Sequence, residues 1–554
     1  MKTIYKSFGL ACLAAMAMTS CDDLLEKAPY GQFTDEQITT SSVQGFVDAA
    51  YAGLEAHFFG NNEAFAGPST NWIFDVRSDD ALKGGGGISM ESNIHQLEIS
   101  NLTSDNPSCQ DKWQNNFFAV ARTNSAIRAV ESSSLDESVK QLNIGELKFL
   151  RAFYYFDLYR IFERFPYFDE TEQNASTVRY DNKTRAEIFS SIVADLEHAY
   201  ANLPGTASAP GRANKYAAAA LLARVHAYES NWAEVEKYAE EVISKGGYSL
   251  YDNYGDMSKI AFNNQKESIF ALQTSSANDN AHINWSNLLN VTYSEGNLYG
   301  NGDDFFLASQ NLVDAFRTNP DTGLPYLDND APAEHVNENY SGSLDPRLDY
   351  TVGRIGFPWR SSASAQHIYS KKWCRALDVY GEYSGKKGCI SPEDPQCLHT
   401  FPYHAPLNFI FLRYADIMLL KAEALIEQNK NLDDARSLIN QIREKAAHSV
   451  DASYDIIDID PNKADYFVEK YPSSGWTQDY ARKAVRMERR LELAMEGQRW
   501  FDLCRWGVVV ETMNKYFETE TAFHGYYDGA SMDSKEIFFP IPYDEVNSAN
   551  GLYE

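Results

Sequence analysis

Trp72, Asp75, Arg77, Asp79 and Asp80 lie close together in the chain and combine one large flat ring with carboxylates and a guanidinium. Trp285, Asn287 and Tyr293 form a second group of this kind, and Trp359 with Arg360 a third. Such side chains suit a sugar. An apolar ring covers the C–H face of a pyranose or furanose, and the polar groups beside it satisfy the hydroxyls. These ten residues are the candidate glycan-binding set, set against the commoner fate of a tryptophan, which is burial. Alanine at Trp285 or Trp359 is expected to weaken glycan binding without unfolding the chain.

Glycan hydrolysis would ask for paired carboxylates. Glu488, Glu492 and Glu496 recur every fourth residue and so share a helix face, but nothing beside them creates an apolar pocket that would raise one carboxyl pKa above the next. With Arg489, Arg499 and Arg505 interspersed, they read as a structural ion network. A serine nucleophile elbow, an H-E-x-x-H zinc helix and a G-x-x-x-x-G-K phosphate loop are missing, and Gly84–Gly87 lacks the spacing of a dinucleotide loop. No catalytic residue and no cofactor are expected. Asp458, Asp460, Asn462 and Glu469 have the spacing of a calcium loop, yet Lys463 replaces the glycine of its sharp turn. An acidic surface loop is expected there, and no metal site.

The formal net charge of -29 would repel a phosphate backbone, which excludes nucleic acid as a partner. Lys2 and Lys6 precede an apolar run from Phe8 to Met18, too short to span a membrane and of the form of a secretory signal. The run ends in Met18-Thr19-Ser20-Cys21, similar to a bacterial lipobox cleaved before its cysteine. Residues 1–20 are thus expected to be removed and Cys21 lipidated, since several acyl chains at one site give durable attachment. Beyond Cys21 remain Cys109, Cys374, Cys389, Cys397 and Cys504, with no C-x-x-C pair. A disulfide between two of Cys374, Cys389 and Cys397 is the simplest use of that cluster in an oxidising compartment.

The elements that must position these groups are mostly helical. After a tether over residues 21–40, apolar stripes recur at helical spacing: Ile188, Ile192, Leu196 and Tyr200, ending near Leu203-Pro204-Gly205. Ala218, Leu221, Leu222 and Val225 pair with Val235, Ala239 and Val242 across Asn231 as a helix hairpin. Leu412, Ala415, Leu419 and Ile426 pair with Ala435, Leu438 and Ile442 across Asn431 as another. Both asparagines are expected caps. Stacked hairpins with small facing residues are the geometry of tetratricopeptide (TPR) arrays. The fold is read as mainly α: a TPR-like helical-hairpin scaffold over about 41–248 and 404–510, with an irregular, loop-rich ligand lobe of a few short strands over about 249–403. Tyr154, Tyr155, Tyr159, Trp500 and Trp506 are read as core.

Four segments in order resemble the SusD/RagB family of nutrient-binding lipoproteins. They are Cys21-Asp22-Asp23-Leu24-Leu25-Glu26; Arg151-Ala152-Phe153-Tyr154-Tyr155-Phe156-Asp157-Leu158; the hairpin from Asn214 to Leu250; and a last group. That group comprises Leu412-Arg413-Tyr414-Ala415-Asp416, Glu488 to Leu493, Glu496 to Leu503, Arg505-Trp506-Gly507 and Phe539-Pro540-Ile541-Pro542. Glu163, where a glycine is usual, and the closing residues Asn547 to Glu554 depart from the pattern. The resemblance implies a SusD-like fold over 41–554, anchored to the outer membrane through Cys21. It also implies a glycan ligand handed to a SusC-like TonB-dependent transporter. A peptide-binding lid of a RagA-like importer is the alternative, and a hydrolase comes last.

Overall fold

The computed structural model describes residues 40–55, 72–172, 174–275, 290–293, 298–299, 302–327, 331–362, 364–399, 405–450 and 456–548. The expected lipidation site, Cys21, lies outside them. The helices that build the frame are α1 (Thr40–Tyr51), α2 (Trp72–Val76), α3 (Pro107–Ser132), α4 (Glu137–Ile161), α5 (Arg185–Asn202), α6 (Lys215–Tyr228) and α7 (Trp232–Lys245). They continue as α8 (Gln310–Ala315), α9 (Tyr414–Glu427), α10 (Leu432–His448), α11 (Gln478–Leu493), α12 (Arg499–Arg505) and α13 (Val509–Glu520).

Local chemistry sets several of these boundaries. Thr184 and Glu187 form a reciprocal capping box at the start of α5, and Asn214 accepts a hydrogen bond from the Ala217 amide at the start of α6. Asn231 and Asn431 do occupy the N-cap positions of α7 and α10, but neither side chain caps. Asn431 is in the left-handed region at φ 48°, where the chain reverses between the two helices. Leu412 belongs to the strand leading into α9, so that helix starts later than its apolar stripe.

Ala217–Ala220 on α6 are fully buried, and their small side chains let the neighbouring helices approach closely. Consecutive helices α3 to α7 pack each on the next, α7 packs on α9, and α9 packs on both α10 and α11. This is the stacked array that the periodicity predicts. Tyr154, Tyr155, Tyr159 and Trp500 are core residues, as expected, and Trp506 packs half-buried against the core.

Two antiparallel strand pairs tie the loop-rich lobe to the scaffold. Strand β1 (Ala81–Gly84) pairs with β3 (Phe305–Ala308), and β2 (Ser268–Leu272) pairs with β4 (Phe409–Arg413). The lobe has its own small core of Val291, Tyr299, Trp359, Tyr369, Ile390 and Leu407, together with Cys389 and Cys397. Among the described residues no helix is long and apolar enough to cross a membrane.

The expected disulfide is not formed: Cys109, Cys374, Cys389, Cys397 and Cys504 are all free thiols. Burial pushes Cys389 up to about 11 and Cys374, Cys397 and Cys504 up to about 12, so few are thiolates at neutral pH. A form beginning after Cys21 should therefore take up little iodoacetamide at pH 8 when folded. Once denatured without reductant, it should be labelled at all five cysteines, and a mass for only three labels would show that a disulfide forms in solution.

Candidate functional site

The group around Trp72 sits on α2 and the turn after it, inside the protein. Asp75 accepts a hydrogen bond from the Gly497 amide at 2.6 Å. The Arg77 guanidinium lies 4.1 Å from the centre of the Trp500 ring and donates to the Glu536 and Ile537 carbonyls. Asp79 forms a two-pronged pair with Arg499 at 2.7 and 2.8 Å, and Asp80 pairs with Arg490 at 2.7 Å. Burial alone would push the Asp79 carboxyl up; the Arg490 and Arg499 charges outweigh it and hold Asp79 well below the usual range. Trp72 meets Phe306 at 5.5 Å and forms part of the wall of a partly open cavity with Met257, Lys387 and Glu496. All five residues are buried. The expectation of a sugar platform here is corrected: Asp75, Arg77, Asp79 and Asp80 lock α2 and the turn after it to the segment 490–500, and Trp72 packs on Phe306.

Trp359 and Arg360 are also corrected. Trp359 is 0% exposed, its Nε1 donates to the Tyr299 hydroxyl at 2.9 Å, and its ring stacks on Tyr369 at 5.6 Å. Gly353 permits that packing, because a Cβ there would stand 2.5 Å from the indole. Arg360 pairs with Asp458 at 2.7 Å and donates to the Lys386 carbonyl at 2.9 Å. Asp458 is consequently a buried ion-pair partner, and the surface loop expected from Asp458 to Glu469 begins inside the lobe. Among the described residues no group of three or more acidic, histidine or cysteine side chains is placed to hold a metal ion. Trp285 and Asn287 lie outside the described residues.

The acidic signature does form a buried ion network, but with other partners than its neighbouring arginines. Glu488 pairs with Arg347 and Arg443, and Glu492 with Lys445, Arg413 and Arg347. Arg489 and Arg505 instead hold Asp502, and Arg505 also holds Glu423. Every one of these carboxylates is engaged by cations.

Tyr293 is the one member of the candidate set that faces solvent among the described residues, with 42% of its surface exposed. The local fold places it deliberately close to charge. The Asp304 amide donates to the Val291 carbonyl at 2.9 Å, and Gly302 lets the two segments touch, since a Cβ there would stand 2.2 Å from the Thr292 oxygen. Asp304, at φ 58°, turns the chain and accepts from the Arg375 amide at 2.9 Å and from the Ser384 hydroxyl at 2.8 Å. Burial raises its carboxyl to about 6 against those two donors.

Arg375, so positioned, sits 5.4 Å from the centre of the Tyr293 ring and pairs with the Asp303 carboxylate. The Gly84–Gly87 turn borders the guanidinium, and Lys83 fixes that turn by donating to the Gly84 and Gly87 carbonyls at 3.0 and 2.9 Å. These bonds hold the turn in place. Half-buried Trp373 stands two residues away, edge-on to Tyr369 at 5.4 Å. An exposed ring flanked by a guanidinium and a carboxylate can cover one face of a sugar and both donate to and accept from its hydroxyls. Arg375, Asp303 and Trp373 were missed from sequence, although Trp373-x-Arg375 repeats the ring-and-guanidinium pattern used elsewhere.

The profile of the SusD family matches residues 266–554, and a second, described as starch-binding associating with outer membrane, matches residues 24–227. The chain belongs to the SusD family. It is 25% identical to a SusD-like protein of Bacteroides ovatus, over 95% of this chain and 87% of that one. The crystal structure of a SusD-like protein from Bacteroides fragilis superposes with a TM-score of 0.72 at 22% identity, over 95% of this chain and 99% of that one. Surface glycan-binding protein A from Bacteroides thetaiotaomicron, solved in complex with laminarihexaose, superposes with a TM-score of 0.67 at 19% identity, over 93% and 99%. These SusD-like structures share the overall fold.

Proposed function

We propose that this SusD-family protein is a glycan-binding lipoprotein of the outer membrane. It captures an oligosaccharide or polysaccharide and passes it to a SusC-like TonB-dependent transporter, anchored through Cys21. The observation that carries the reading is the exposed Tyr293 ring with Arg375 and Asp303 beside it on the loop-rich lobe. The structural neighbour solved in complex with laminarihexaose supports a glucan or similar glycan as the ligand class. Engagement of Glu488 and Glu492 by cations supports binding without hydrolysis, because a carboxylate so held is a poor general acid.

The test is calorimetry of the lipid-free protein, starting after Cys21, against plant, fungal and host glycans and peptide mixtures. Saturable heat with one glycan class and no new reducing ends is the expected result. Tyr293→Ala should weaken that binding about thirtyfold, as the loss of a central aromatic contact worth about 2 kcal/mol implies. Retention of peptides alone would overturn the reading in favour of a peptide importer's lid, and released sugar would make the protein a hydrolase.

A further inference from the structure

A groove with no residue in common with the Tyr293 face runs between α8, α11 and α13. Its volume is about 1260 Å³. That exceeds the few hundred to 1,000 Å³ typical of small-molecule sites and leaves room for an oligomer.

The walls are preformed. The Glu520 carboxylate at the end of α13 accepts from the Gln310 amide at 2.9 Å, joining that helix to the start of α8. On α8, Asp314 accepts from the Val336 amide at 2.8 Å and holds His335 Nδ1 at 2.6 Å; just beyond the helix, Arg317 donates to the Pro332 carbonyl at 2.7 Å. The opposite wall is fixed by Arg490, which donates to Asn311 at 2.7 Å while pairing with Asp80.

Two rings stand at the rim. Phe523 is 42% exposed, and His335, whose side chain is 51% exposed, meets it edge-on with centres 4.9 Å apart. Five carboxylates and five cationic side chains line the groove, so it is balanced in charge although the whole chain carries -29. A polyanion or polycation gains little in such a site. A neutral ligand with a flat apolar face and many hydroxyls meets both the rings and the donors and acceptors it needs.

We propose that this groove is a second carbohydrate site, which holds an oligosaccharide against Phe523 and His335. The proposal rests on the reading of the chain as a glycan binder, and it would give one polysaccharide two points of attachment. Two linked contacts raise the effective concentration of the second and so the overall avidity.

The experiment is calorimetric titration of the mature chain, lipid-free, with laminarihexaose, maltohexaose, cellohexaose, xylohexaose and mannohexaose. Phe523→Ala, His335→Ala and Tyr293→Ala variants are titrated alongside, each checked for fold by circular dichroism and unfolding temperature. For the oligosaccharide that binds, two sites per chain are expected. Phe523→Ala should remove one or weaken it about tenfold, with His335→Ala in the same direction, and leave the other unchanged; Tyr293→Ala should do the converse.

One site, abolished by Tyr293→Ala and untouched by both groove variants, overturns this proposal and leaves the proposed function standing. Binding lost in Phe523→Ala but normal in Tyr293→Ala supports the groove and sinks the Tyr293 face. Silence toward all five overturns this proposal, and retention of peptides only defeats both.

Discussion

Glu492→Ala is expected to destabilise the protein by about 3–5 kcal/mol, the usual effect of stranding a buried charge partner. The Glu492 carboxylate receives Lys445 at 2.6 Å, Arg413 at 2.7 Å and Arg347 at 3.1 Å, all within the interior. Alanine would leave three cations facing a void with one carboxylate too few, although Arg413 and Lys445 keep Glu267, Arg413 keeps Glu496, and Arg347 keeps Glu488 and Asp345. The position matters because these partners come from α10, from the strand before α9 and from the loop-rich lobe. The measurement is urea unfolding of the mature chain.

The same residue has a pH signature. Burial would push its carboxyl up, but the Lys445, Arg413 and Arg347 charges outweigh burial and hold it well below the usual glutamate range. A carboxyl with a depressed folded-state pKa stabilises the protein above its unfolded pKa, and that contribution is lost as pH falls. Stability should therefore decline from about pH 4.5 downward, and the gap between wild type and Glu492→Gln should narrow over the same interval. A gap independent of pH would mean that the charge is not what holds this junction together.

What could be read from the sequence follows from how local each signal is. The hairpins of α6 with α7 and α9 with α10 were legible because period and small residues act within a few turns. The Trp72 group misled for a physical reason. A ring with carboxylates and a guanidinium is the composition of a sugar site and equally of a buried ion cluster. The difference lies in Arg490 and Arg499, more than 400 positions along the chain from their aspartate partners. The acidic signature was legible as a network because repeated like charge on one helix face demands counter-ions. Their identity, Arg347, Arg413 and Lys445, is set by tertiary packing. Tyr293 was found as a ring, but Arg375 beside it depends on the close approach at Gly302, which no spacing announces.

Trp359→Ala is the sharpest test of that correction. Removing a fully buried indole should cost about 3–5 kcal/mol, since the surrounding core can relax only partly into the space left behind. Tyr369 would lose its stacking partner and the Tyr299 hydroxyl one of its donors, while Gly353 offers no side chain to fill the gap. The Tyr299 hydroxyl would still donate to the Ile390 carbonyl at 2.6 Å, so the lobe should loosen around its core without losing every tie. Tyr293→Ala should behave oppositely, with stability changed by no more than about 0.5 kcal/mol because the ring is exposed. Urea unfolding and glycan calorimetry on both variants separate the roles. Lost affinity with normal stability in Trp359→Ala would restore that indole as a ligand platform and would require the lobe to open before it binds.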